Sequence, residues 1–434
     1  MDNLQALVYP QNPQWNSKDY FKPEKGWFLR PVYHQSLSWL DKRVAVALTG
    51  LRRTGKSTIL QQIKYHLEEN IAPEQVLFFS FEKAQVKYEP ETLRNLLNWY
   101  FEDFLKSSPK EISKRVYILL DEVQYIPHWQ DTLKWFYDLN PNFKFFLSGS
   151  SSLFIYKKAT ESLAGRIIDI TVPPLSFKEY CNIKSVLDDA NDLPKIFGRQ
   201  PNLVNSHFKD YLEFGQFPEL VKENYKPDQS KLYLQTIEEK IVEQDLPKIY
   251  KVNRPDILHL IFSFVKNHPG ALLEYSNLAN DLGIDVKTTA KYLGYLKKSF
   301  LLDLCLNNTK KLAKSSRTAK KVYLGSVNFS RSGLGETVEN YVFNFLSGLG
   351  KVEFFRLKNF EVDFVLQQKN PSIFEVKYQE HIEQKDSQNL VKLAKSKKLD
   401  EAYLITKNNY GAFTQDGMKI NLLPACLLET YFSG

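Results

Sequence analysis

The chain reads as an α/β protein with a parallel sheet in its first part, then a helical segment, a winged-helix segment and a second α/β region. Three observations predict this. Short apolar runs (VAVALTG from Val44, then QVLFFSFE, VYILLDE, FKFFLSGS and IIDITV) alternate with longer amphipathic stretches, as parallel strands covered on both faces do. A glycine-rich turn follows the first run and opens a helical stretch. Near the C-terminus, two strand-like runs separated by the turn QQKNPS carry isolated charges, which an apolar strand accommodates only for a reason.

With 434 residues, the chain has room for about three domains at roughly 150 residues each. Its 43% hydrophobic, 25% charged and 14% aromatic content, with 18 Gly and 20 Pro, is globular and excludes disorder as the main theme. No apolar run approaches the ~18 residues of a membrane span, and MDNLQALVYP lacks the basic and apolar regions of an export signal, so a cytoplasmic protein is expected. Cys181, Cys305 and Cys426 are far apart and the seven histidines are scattered. Any metal here should therefore be held by carboxylates rather than by a soft-ligand site.

Taken in order, residues 1–35 form an N-terminal arm and 36–172 the parallel sheet, with helices expected at 56–70, 91–108 and 129–139. After Pro173-Pro174 the strand-like runs stop, and helical patterns through 173–250 suggest a lid. Residues 274–299 read as a helix-turn-helix: EYSNLANDLG, a turn at Gly283, then VKTTAKYLGYLKKS with Val286, Ala290, Leu293 and Leu296 on one face. FLLDLCL and KVYLGSV flank a basic run and complete a winged hairpin within 251–330. Residues 331–434 return to α/β: a helix over 335–347, a hairpin over 361–378, a helix over 383–397 and the strand EAYLIT.

The formal charge is +8, from 58 basic and 50 acidic residues. Residues 251–330 carry 13 Lys/Arg against 5 Asp/Glu, so the whole excess lies in that segment. Lys310, Lys311, Lys314, Arg317, Lys320 and Lys321 crowd into twelve positions with no acid, a density that a polyanion stabilises. A solvated loop is the plainer reading. On a winged helix, Lys287, Thr288 and Lys291 at the start of the second helix would meet base edges, while the hairpin tracks phosphates.

Gly50-Leu51-Arg52-Arg53-Thr54-Gly55-Lys56-Ser57 fits G-x-x-x-x-G-K-[ST], between a buried strand and a helix. In that context the backbone N–H groups cradle phosphates, Lys56 reaches the β- and γ-phosphates and Ser57, followed by Thr58, ligates Mg²⁺. Downstream, YILLDE ends a strand with two acids, so that Asp121 can hold the Mg²⁺ shell and Glu122 can polarise water. A further strand ends FLSGSSS, where Ser148 or Ser150 can sense the γ-phosphate. Arg166 introduces a strand at the sheet edge and is placed to act as a finger on a neighbour's nucleotide, or to pair on the surface with Asp169.

These residues resemble a widespread prokaryotic family of AAA+ ATPases over roughly residues 30–434. The resemblance rests on Arg52-Arg53 inside the phosphate loop, Asp121 to Gln124 with Trp129, Leu163 to Arg166, Gly215 to Leu220 and Leu334 to Phe343. It implies an ATPase core, a helical lid, a winged helix and a C-terminal restriction-endonuclease-like domain of the PD-(D/E)xK type. It also implies ATP and Mg²⁺ as cofactors and a homo-oligomer, expected as a hexameric ring. Ser326 stands where that family often has an acid, so no role is expected there.

In the C-terminal hairpin, Asp363 lies twelve residues before Glu375, and Glu375 and Lys377 share a strand face. Asp363 and Glu375 could hold Mg²⁺ with Lys377 stabilising phosphate charge, and Glu339 on the preceding helix could complete the cluster. The pattern resembles nucleases that include the Holliday-junction resolvases. The expected function is an ATP-hydrolysing oligomer that binds and remodels duplex or branched DNA. The alternatives are an ATP-dependent switch indifferent to DNA and an ATP-gated defence nuclease.

Overall fold

A computed structural model gives the protein's structure and describes residues 6–17, 27–82, 88–149, 163–187, 192–308, 320–357 and 360–432. Ser150, Lys310, Lys311, Lys314 and Arg317 lie outside the described residues. The chain divides into two compact units between Pro173 and Pro174.

The first unit holds five parallel strands: β1 (Ala45–Thr49), β2 (Val76–Ser80), β3 (Val116–Asp121), β4 (Phe143–Ser148) and β5 (Ile167–Thr171), in the order β2-β3-β4-β1-β5. Alternate residues of each strand face opposite sides. Ala45, Ala47, Leu77, Phe79, Ile118 and Leu120 join Leu93, Trp129, Leu133 and Phe136 on one side. On the other, Val46, Leu48, Phe78, Leu119 and Phe146 pack on Ile59, Leu60 and Ile63 of the helix Lys56–Glu68. Two-sided burial is why these strands read as continuous apolar runs. The order places β4 between the strand entering the phosphate loop and the strand ending in Asp121. The N-terminal arm closes the outer edge of β2, where Asn12 Nδ2 donates to Phe78 O at 2.8 Å and Phe78 N donates to Asn12 Oδ1 at 2.8 Å. A side-chain amide there copies a strand's ladder and blunts an open edge.

The expected helix over 91–108 is α-helical at Thr92–Asn98 and continues as a π-turn at Trp99–Phe104. There Trp15 stacks on Tyr100 and Phe104, with ring centroids 5.9 and 4.1 Å away.

The second unit carries β6 (Leu272–Leu273), β7 (Leu302–Asn307), β8 (Lys320–Leu324), β9 (Lys351–Leu357), β10 (Phe360–Gln367), β11 (Ser372–Lys377), β12 (Glu401–Thr406), β13 (Gly411–Gln415) and β14 (Met418–Pro424). They form one sheet, β13-β14-β12-β11-β10-β9-β7-β8-β6. The wing strands and the C-terminal strands are therefore continuous, joined where β7 runs parallel to β9. The helix Leu334–Leu349 covers one face through Val338, Tyr341, Val342 and Leu346. The helix Gln388–Lys397 covers the other through Leu390, Val391 and Ala394.

The helices expected as a lid draw their core from this unit. Phe177, Tyr180, Phe208 and Tyr211 pack with Val338, Tyr341 and Leu427 in one apolar cluster, and buried Glu429 accepts from Phe177 N at 2.9 Å. In the helix-turn-helix, Tyr275–Leu282 and Val286–Lys298 flank Gly283, which takes the left-handed conformation at φ 62°. The buried face is Thr289, Tyr292, Leu293 and Leu296, whereas Val286 is exposed. Asp285 caps that helix by accepting from Thr288 N, which puts Val286 in the first turn, outside the buried stripe.

Candidate functional site

The phosphate loop is shaped by backbone that only its glycines take easily. Gly50 sits at φ +143°, and a Cβ there would stand 2.4 Å from Val172 O. Gly55, at φ 97°, is the N-cap of the helix Lys56–Glu68, so no side chain competes for the first-turn N–H groups that make such an end an anion site. Arg53 also takes positive φ, at 69°, and is exposed, as is Thr58. Arg30, unremarked in the sequence, braces the loop by donating to Thr54 O at 2.8 Å and to Pro173 O at 3.0 Å. Arg52 pairs with Glu82 at 2.5 Å. Lys56 Nζ donates to Gly50 O at 3.1 Å and Leu51 O at 2.9 Å, and its burial lowers its pKa, against the pull of Glu122 and Asp121.

Next to it, Asp121 collects three hydroxyls. Ser57 Oγ donates to Oδ1 at 2.9 Å, Ser80 Oγ to Oδ2 at 2.9 Å, and Ser148 Oγ also to Oδ1. Ser148 is thus engaged with the strand-end acids, and its Oγ accepts from Glu122 N at 3.2 Å. Glu122 is buried in the left-handed region at φ 53°, its Oε2 held by Gln124 Nε2. Burial pushes its carboxyl up to about 7, despite Lys56. The cradle, the ammonium and the hydroxyl–carboxylate pair suit a nucleotide with its divalent ion: Lys56 and the loop amides for phosphates, Ser57 and Asp121 for Mg²⁺. Arg166 lies apart, before β5 at the end of the sheet away from the loop. It is paired with Asp138 at 2.8 Å rather than with Asp169.

The hairpin β10–β11 brings the C-terminal residues together. Asp363 falls where the β9–β10 register slips between Val362 and Val365, a bulge of the kind that re-aims a side chain. Val376 N donates to Asp363 Oδ2 at 2.9 Å, Asp363 N to Glu375 Oε2 at 3.3 Å, and Lys377 Nζ to Glu375 Oε1 at 2.8 Å. Burial and then Asp363 raise Glu375 to about 8, and the same two causes raise Glu339 to about 7.

Lys321 corrects one expectation. It belongs to β8, not to an exposed phosphate-tracking wing, and its side chain is only 6% exposed. Its Nζ lies 2.8 Å from Glu361, 3.1 Å from Glu339 and 3.3 Å from Asp363. Burial opposes its charge, yet these carboxylates hold it well above the ordinary lysine range. Neighbouring Lys320 packs over the Tyr275 ring at 4.3 Å. Lys287 and Lys291 are exposed on the second helix of the winged segment, with Thr288 between exposed and buried.

Ser80, Glu82, Arg30, Glu361 and Tyr323 are the participants that sequence reading missed; Tyr323 donates to Glu339 at 2.7 Å. Two signals were available. Ser80 ends the strand beside Asp121's, and Lys321 and Tyr323 are spaced to share one strand face.

Comparison with known proteins matches three stretches of the chain. Residues 42–181 match a family described as an AAA domain. Residues 205–328 and 334–426 match two families described as domains of unknown function. An uncharacterized protein of Haemophilus influenzae is 23% identical over 411 residues, 91% of this chain and 97% of its own length. The uncharacterized protein MJ1544 of Methanocaldococcus jannaschii is 26% identical over 83% of this chain and 82% of its own. Among solved structures, the Walker-type ATPase PABY2304 of Pyrococcus abyssi aligns with TM-score 0.46 at 16% identity, over 73% of this chain and 98% of its own. No helix among the described residues is long and apolar enough to cross a membrane.

Proposed function

We propose that this chain, whose residues 42–181 match a family described as an AAA domain, hydrolyses ATP with Mg²⁺, assembles as a ring and acts on DNA through its winged-helix segment. The observation that carries the first part is the convergence on Asp121 of Ser57 from the phosphate loop and Ser148 from β4, with Glu122 beside it. When bound, ATP·Mg²⁺ supplies the anhydride and the charge neutralisation at its phosphates. Around it, the loop amides and Lys56 bind phosphate oxygens, and Ser57 and Asp121 hold the ion. Glu122 accepts a proton from the attacking water, its carboxylate oriented by Gln124. A carboxyl raised to about 7 is matched to that work near neutral pH. Arg166 is the candidate finger for a neighbouring subunit.

The DNA reading is supported by the helix-turn-helix and three wing strands, with Lys287 and Lys291 exposed on the second helix. Duplex or branched DNA is the proposed partner, the branched form resting on the C-terminal motif alone. Purified Lys56→Ala protein is expected to lose nucleotide binding. Glu122→Gln should keep it and lose roughly 10²–10⁴-fold in turnover, and undiminished hydrolysis in that variant would remove Glu122 from the mechanism.

A further inference from the structure

Asp363 and Glu375 were expected to hold a divalent cation, yet a lysine is seated among the carboxylates there. Lys321 Nζ has three N–H donors, and three carboxylate oxygens stand around it: Glu361 at 2.8 Å, Glu339 at 3.1 Å and Asp363 at 3.3 Å. The second oxygen of Asp363 and both oxygens of Glu375 are engaged as well. Asp363 Oδ2 accepts from Val376 N, and Glu375 accepts from Lys377 and from Asp363 N. Among the described residues, no group of three or more His, Cys, Asp or Glu side chains is placed to hold a metal.

Nor is Lys321 on a segment that can swing away. Its strand is paired on both edges, Lys321 lying opposite Cys305 of β7 and Leu272 of β6. The backbone is thus fixed, and withdrawing the ammonium by side-chain rotation would leave buried carboxylates without a partner, which is strongly unfavourable. Divalent ions of the Mg²⁺ class need several oxygen ligands directed at one point. Here the carboxylates point at the ammonium.

We infer that Lys321 is the resident cation of the C-terminal carboxylate cluster, an ionic joint between the wing strand and the C-terminal sheet that excludes a divalent metal. The domain then contributes binding surface without metal-dependent DNA cleavage. The inference does not depend on whether the winged segment binds DNA, because it concerns cation occupancy alone.

Manganese binding to the nucleotide-free, full-length protein tests it, read as the loss of the free-ion signal in electron paramagnetic resonance. Wild type and Asp363→Asn are expected to bind equally, any Mn²⁺ at the phosphate loop being common to both. Lys321→Met removes the charge while keeping the unbranched stem, one atom shorter, and should gain about one Mn²⁺ per chain, the stoichiometry of a single carboxylate-rich site. That gain should vanish in the Lys321→Met/Asp363→Asn double variant. A wild-type site lost in Asp363→Asn overturns the inference, as does a folded Lys321→Met that gains none. If Lys321→Met does not fold, the comparison of wild type with Asp363→Asn still decides. Mg²⁺-dependent cleavage of DNA by wild type that Asp363→Asn abolishes would overturn it equally.

Discussion

At the residue scale, the chemistry of the phosphate loop is local: eight consecutive residues carry the backbone shape, the charge and the hydroxyl. Gly50 shows how narrow the tolerance is. Gly50→Ala would place a Cβ 2.4 Å from Val172 O at φ +143°, a strain of order 1–3 kcal/mol. If that strain is relieved when the nucleotide leaves, affinity should fall by roughly fivefold to a hundredfold, since about 1.4 kcal/mol is a factor of ten. Titration with a fluorescent ATP analogue measures this, and wild-type affinity would show that the loop relaxes around the methyl group. Ser80, Arg30 and Glu82 were not legible, because each meets its partner only after strands distant in sequence pair. Lys321 was misread for the same reason. In the sequence it ends a basic run, and only the pairing of β8 between β7 and β6 turns it toward Glu339, Glu361 and Asp363.

At the element scale, apolar runs located the five strands of the first sheet, and the helix at Trp129–Leu139 falls where its periodicity places it. What periodicity could not give was a charge hidden inside a strand. Lys144 of β4 has no exposed surface, and its Nζ donates to Lys42 O at 3.0 Å and to Val44 O. A neutral amine has two N–H donors for two carbonyls, and burial pushes Lys144 down to about 7. The unfolded chain holds that proton up to the ordinary lysine value of 10.5. It therefore binds more protons than the folded state between pH 7 and 10.5, and stability rises with pH in that window, by up to about 1.4 kcal/mol per pH unit. Lys144→Met should flatten that rise in denaturant titrations of the first unit followed from pH 7 to 10. An unchanged slope would mean that Lys144 stays charged in the fold. The helices after Pro173 were legible as helices, but not the core they join, since amphipathic periodicity gives a buried face and not its partner.

At the scale of the whole molecule, the proposed function ties ATP turnover to assembly and to DNA. Arg166 is half-buried beside Asp138, away from the phosphate loop of its own sheet, a position from which it is proposed to reach a neighbour's site. Arg166→Ala should bind ATP normally and turn over slowly. Mixing it with Lys56→Ala should restore activity, because some interfaces then join an intact loop to an intact finger. No complementation at any mixing ratio would leave Arg166 a structural residue. The most direct measurement is steady-state ATP hydrolysis with and without duplex or four-way-junction DNA, for wild type and for Lys287→Ala/Lys291→Ala. The account predicts that DNA raises wild-type turnover, that added salt reduces the stimulation as counterion release requires, and that the double variant keeps basal turnover but loses the response. Slow hydrolysis, equal in both proteins and indifferent to every DNA, would contradict it and favour an ATP-dependent switch.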